Sequence, residues 1–239
     1  MDNEPLIVGA GRTDAGVHAF AQVVHVDLPT ALFATKRGPD PARLRRSLNQ
    51  QLRGRLQVLE ARPVTDEFHA RFSARWRQYR YLVIESDAPG LELTNAWAWS
   101  VEGPLDLDAM NRATKRLLGL HDFRAFCRRP TNSNADEPLL RRVLEATWER
   151  FDDEWSLVAP DASAIKFTIR AQSFCHNMIR SLTSVLVEIG RGTLAESTVV
   201  ERLASLSREQ LPAPAPAPGL TLIGVGYDES VGGPSGASH

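Results

Sequence analysis

Residues 6–28 read LIVGAGRTDAGVHAFAQVVHVDL, and the fold turns on which element comes after the glycines. An apolar run, a Gly-rich turn and then a helix would make a dinucleotide site, with the pyrophosphate on the helix N-terminus. Gly9 and Gly11 fit that spacing, but Asp14 stands where the third glycine belongs. Downstream, Val24, Val26 and Leu28 alternate with Val23, His25 and Asp27, which is a strand's period of two. With no helix, and no Gly-Lys-Ser/Thr, a phosphate cradle is excluded. What remains is a tight turn presenting Arg12 and Asp14, in which glycines allow positive φ and close approach. Two readings stay open for Asp14. It is a turn residue in a surface ion pair, or a carboxylate kept anionic by a nearby cation and able to act as nucleophile or electrostatic stabiliser.

Outward from that turn, PARLRRSLNQQL (41–52) reads as a helix, with Pro41 at its start and Leu44, Leu48 and Leu52 at four-residue spacing. Strands are expected at LQVLEARPV (56–64), RQYRYLVIES (77–86), RRVLEATWERF (141–151), AIKFTIRAQSF (164–174) and LTLIGVGY (220–227). Helices are expected at DLDAMNRATKRLLGLHD (106–122, stopped near Gly119), HNMIRSLTSVLVEIGRG (176–192) and VVERLASLS (199–207). RRPTNSNADEP (128–138) reads as a polar loop, PAPAPAPG (212–219) as a stiff extended linker, and 229–239 as a disordered tail. Strict strand–helix–strand alternation is lacking, so the class is α+β with a largely antiparallel sheet. A composition break at SVEGPLDLD suggests two lobes, 1–98 and 99–228.

The 239 residues are 43% hydrophobic and 24% charged, an ordinary globular composition with a net charge of −1. No apolar run reaches membrane-spanning length, and the first residues carry no secretory signal pattern. Two cysteines, Cys127 and Cys175, supply no disulfide framework, so a reducing cytoplasm is the expected setting. Cys127, Cys175 and His176 lack a C-x-x-C pair or a fourth ligand, so no metal is expected. Between Arg43 and Arg80 arginine far outweighs acid, which suits either a solvated basic face or bidentate phosphate contact. His18 and His25 are expected to serve turn and strand hydrogen bonds. Phe123 and Phe126 are expected to pack in the second lobe, with Arg128 and Arg129 free to meet a polyanion.

GRTDAGVHA followed by QVVHVDL resembles the catalytic motif of the tRNA pseudouridine synthase A family. The resemblance continues through FHARFSARWRQYRYLV, LLGLHDFRAFC, RAQSFCHNMIRSLTSVLVEIGRG and PAPGLTLIGVGY, covering most of 7–228. It implies the pseudouridine synthase fold, two lobes around a mainly antiparallel mixed sheet with flanking helices. It also implies cofactor-free, metal-free isomerisation of uridine to pseudouridine in the anticodon stem-loop of tRNA, by a homodimer. Asp14 matches the family's catalytic aspartate and Arg12 its motif arginine. Tyr79 matches the tyrosine that packs on the target base, and Arg180 the arginine that pairs with the carboxylate.

The chemistry fits these residue types. The N1–C1′ bond must break, the uracil turn, and C5 bond to C1′. A carboxylate serves by adding to C6 or by quenching an electron-poor sugar. The uridine must leave the stack, and an aromatic face restores about 1–3 kcal/mol of stacking per base. Tyr79 can supply that face, and its hydroxyl can help move a proton at C5 or order a water; without the family match, core packing is the plainer role. Arg180 sits among apolar helix residues, where an unpaired guanidinium is costly, so Asp14 is its expected partner; without the family match, a helix-surface arginine reaching solvent is the plainer role. Arg75 and Arg77 are expected to contact RNA phosphates.

The family places a strand, a basic loop and a helix before GRTD, whereas only MDNEPLIVGA precedes it here. Either the start site is placed too late or the protein is genuinely shortened, and the latter raises a second reading, a tRNA-binding protein with impaired or no catalysis. A hydrolase using Asp14 as nucleophile ranks last, for want of a second aspartate and metal-binding acids.

Overall fold

The computed structural model describes residues 5–29, 34–35, 38–86, 96–129, 134, 137–150 and 163–228. The tail expected at 229–239 and much of the loop at 128–138 lie outside the described residues.

The longest strands pair in the middle of one seven-stranded sheet. Its centre is β6 (Ala74–Glu85), flanked by β10 (Ser163–Ala171) and β11 (Leu220–Tyr227), both antiparallel to it. Beyond β10 come β9 (Leu140–Arg150) and β8 (Gly119–Asp122), and β7 (Trp99–Val101) joins β6 in parallel. The sheet closes on its other side with β2 (His18–Ala19), parallel to β11. Two short ladders stand apart. One joins β1 (Ile7–Gly9) to β3 (Val24–Val26), and the other joins β4 (Ala34–Thr35) to β5 (Gly38–Pro39). The chain is α+β, as its pattern implies. The sheet crosses residue 100, since β6 lies between two strands from the second half.

Alternation decides which face is buried. Tyr79, Tyr81 and Val83 stand opposite Ile169, Phe167 and Ile165 in register, and all six are buried. Trp148 on β9 stacks on Phe167 with ring centroids 4.8 Å apart. That face is covered by α2 (Leu107–Lys115) and α3 (Met178–Gly190), which pack on each other and bring Met110, Leu182 and Leu186 to the same core. Burying such side chains removes roughly 1.5–3 kcal/mol of unfavourable hydration each. Two further helices, α1 (Pro41–Gln51) and α4 (Thr198–Ser205), lie where the spacing places them. No helix among the described residues is long and apolar enough to cross a membrane.

Two expectations are corrected. Residues 56–64 form no strand. Their alternation is real, but no strand is paired with them, and Leu56 and Leu59 are exposed. The Asn49 amide on α1 takes the place of a ladder: it accepts from Val58 N–H at 2.6 Å and donates to Val58 C=O at 2.9 Å. The Pro-Ala run at 212–219 is no free linker. Ala215 is buried, and the carbonyl of Pro216 accepts the Tyr81 hydroxyl at 2.7 Å.

Candidate active site

Asp14 sits where the chain leaves the β1–β3 ladder and joins the edge of the large sheet. Asp14 C=O accepts from Val17 N–H at 3.0 Å, closing a β-turn over 14–17, and Gly16 at its third position has φ +83°. A side chain there would be strained, so this glycine is required by the turn. Gly9 and Gly11 are not among the described glycines with positive φ. At Gly11 a Cβ would lie 3.6 Å from the Tyr79 hydroxyl, so the turn runs close over that ring. The Gln22 amide donates to Gly11 C=O at 2.9 Å, and Ala10 N–H donates to Val23 C=O at 2.8 Å.

From the other side comes the start of α3. Arg180, in its first turn, places Nη1 3.6 Å from Asp14 Oδ2, and His176 places Nε2 3.5 Å from Oδ1. Both separations are longer than ordinary short hydrogen bonds, and the Arg180 contact is an ion pair. A helix N-terminus repels an arginine and favours an anion, so Arg180 needs tethering there. Its Nε donates to Ala215 C=O at 2.6 Å, Ala215 N–H donates back to Arg180 C=O at 3.1 Å, and Nη1 reaches Asn177 Oδ1 at 3.2 Å. The Asp14 side chain keeps 33% of its surface, enough for a substrate atom to reach it.

Tyr79 lies beneath. Its ring meets Phe174 edge-on at 5.3 Å, and burial pushes its hydroxyl up to about 12, with Asp14 adding to the rise and Arg77 opposing it. The phenol is therefore a hydrogen-bond donor at neutral pH and not a base.

Among the sequence-expected residues, the structure brings Asp14, Tyr79 and Arg180 together. Arg12 is exposed and forms no ion pair with Asp14 among the described residues; the groups at the carboxylate are the Arg180 guanidinium on α3 and the His176 imidazole just before it. Arg75 is exposed and paired with Asp228, which raises its pKa. Arg77 is buried, so it presents no guanidinium to a phosphate. Of the remaining basic stretch, Arg45, Arg46 and Arg53 line a separate hollow of about 570 Å³ with Asn49 and Gln57. His18 and His25 do make turn and strand hydrogen bonds, to Ala96 C=O and from Ala70 N–H. Phe123 and Phe126 pack in the core.

Sequence reasoning missed His176, Phe174 and Ala215. The first two lie in the matched block RAQSFCHNMIR, where His176 was weighed only as a metal ligand, whereas Ala215 lies in a run read as linker. Cys127 and Cys175, which supply no disulfide framework, lie side by side within reach of one another, Cα atoms 5.7 Å apart. Among the described residues no cluster of three or more His, Cys, Asp and Glu could hold a metal.

Comparison with known proteins identifies the family. A family described as tRNA pseudouridine synthase matches residues 113–228. The chain is 39% identical to the tRNA pseudouridine synthase A of Jannaschia sp. over 226 residues, 94% of this chain and 80% of that protein. It is 39% identical to that of Cutibacterium acnes, covering 95% of this chain and 75% of the relative. With that of Paracoccus denitrificans it shares 40% identity, covering 93% and 79%. Relatives of this identity, matched across nearly the whole chain, place it in the tRNA pseudouridine synthase A family.

Proposed function

We propose that this site isomerises uridine within the anticodon stem-loop of tRNA, with Asp14 as the catalytic carboxylate. The coarser statement comes from the family: the chain is a pseudouridine synthase, an isomerase that modifies tRNA. The observation that carries the finer reading is the partly exposed Asp14 carboxylate, faced by Arg180 and His176 within 3.6 Å and underlain by Tyr79.

In this reading the lobe 1–98 supplies Asp14 and Tyr79, and the lobe 99–228 supplies His176 and Arg180. The target uridine leaves the stack and enters between them. The N1–C1′ bond breaks and the C5–C1′ bond forms; the C5 proton departs and N1 gains one. Asp14 attacks C6 or the sugar carbon. Arg180, 3.6 Å away, pairs with it and keeps it aimed. Tyr79, neutral, donates a hydrogen bond and does not take the C5 proton. Arg75, exposed, exchanges its Asp228 partner for an RNA phosphate. The enzyme works as a cytoplasmic homodimer.

The test is to incubate unmodified tRNA transcripts with the protein and map pseudouridine by carbodiimide–primer extension. Product within the anticodon stem-loop is expected. Product confined to another region overturns the assigned substrate site, and tRNA binding without product returns the protein to the non-catalytic reading.

A further inference from the structure

Arg77 is a charged side chain with 7% of its surface exposed and no carboxylate partner among the described residues. Its guanidinium has five N–H donors, and every one meets a backbone carbonyl. Nε and Nη2 both donate to Ala10 C=O, at 3.2 and 2.8 Å. Nη1 donates to Gln172 C=O at 2.8 Å and Ala74 C=O at 3.1 Å. The remaining Nη2 donor makes a short bond to Arg71 C=O.

Those four carbonyls belong to three segments. Ala10 opens the turn that carries Asp14. Gln172 leaves β10 on the way to Phe174, His176 and Arg180. Arg71 and Ala74 belong to the loop before β6 and its first residue, a stretch braced again by the Tyr227 hydroxyl donating to Ala70 C=O at 2.7 Å. Burying a guanidinium without a counter-charge is expensive, and burial draws its pKa down. Here the carbonyl dipoles supply the compensation. A shorter, apolar side chain would leave four buried or half-buried carbonyls without these donors.

We propose that Arg77 is a positioning residue: it fixes the Asp14 turn and the His176–Arg180 segment to one central strand, and so sets the distance from the carboxylate to Arg180 and His176. It touches neither substrate nor the reacting atoms. This rests on the reading of Asp14 as the catalytic carboxylate. A misplacement of about 1 Å at a reacting group costs around 100-fold in rate, so the effect belongs in kcat.

The test compares wild type with Arg77→Lys, which keeps the charge but offers three donors where five are used, and with Arg77→Ala, with and without added methylguanidinium. In Arg77→Lys, kcat falls about 10–100-fold while KM for tRNA stays within about twofold. Hydrogen exchange rises together in peptides 9–16 and 172–177, with β9 still protected. Methylguanidinium restores part of the rate to Arg77→Ala. Raised KM at unchanged kcat would make Arg77 an RNA ligand and overturn the inference. So would exchange that rises uniformly across the sheet, or that leaves both peptides unchanged. The exchange measurement needs no activity, so a wild type without product would sink the functional reading while leaving this one to be judged on its own.

Discussion

At the scale of single residues, the account rests on how a one-third-exposed carboxylate is held in direction. Arg180 is the principal device, because its Nε and backbone carbonyl are both tied to Ala215 while Nη1 faces Asp14. Removing one partner of a fully buried ion pair costs about 3–5 kcal/mol, but solvent reaches Asp14 and screens part of that. Arg180→Met should therefore lower kcat by about 10–100-fold, each factor of ten being about 1.4 kcal/mol of barrier. KM for tRNA should change little. Steady-state kinetics on one tRNA transcript checks this; an unchanged kcat would remove the pair from catalysis. Arg77 shows what could be read at this scale. Period-two alternation puts it on the same face as Tyr79, Tyr81 and Val83, so its burial was legible in the residues themselves. Charge alone suggested a phosphate contact instead.

At the scale of elements, helices and central strands were readable because each carries its own period and ends. Asp40 caps α1 through Arg43 N–H, and Asp106 caps α2 through Ala109 N–H. Residues 56–64 show the limit. Their alternation suits a strand, yet a strand needs a partner's N–H and C=O groups, and the pairing is not encoded locally. Asn49 fills that need at Val58. Asn49→Ala should free the segment, with each lost hydrogen bond worth about 0.5–1.5 kcal/mol. Tryptic cleavage after Arg53 and Arg55 should accelerate several-fold while the far-UV signal of the sheet is retained. Equal cleavage rates would show that the amide does not hold the segment. The Pro-Ala run was misread for a related reason. Composition described its stiffness correctly, but its docking on Tyr81 and Arg180 depends on residues more than 30 positions away.

At the scale of the whole molecule, the class and the core strands were legible, whereas the site's assembly was not. Asp14 meets α3 only because β2 joins β11 and β6 lies beside β10, and those are pairings between distant segments. The same burial sets a pH limit. Tyr79 and Tyr227 are each pushed from 10.0 to about 12 by burial, and Tyr81 is raised as well. Between those values the folded chain holds protons that the unfolded chain releases, so stability must fall as pH rises from 10 towards 12. Denaturant midpoints should decline over that window, less steeply in Tyr79→Phe. A flat profile there would contradict the burial of these phenols.

The central claim is that the Asp14 carboxylate performs the chemistry, and it is tested most directly by single-turnover pseudouridine formation with saturating enzyme. Asp14→Asn keeps the side chain's shape and removes its charge. The account predicts tRNA binding close to wild type and a rate constant at least about 1,000-fold lower, the scale on which a lost nucleophile acts. Pseudouridine formed by Asp14→Asn within about tenfold of the wild-type rate would contradict it.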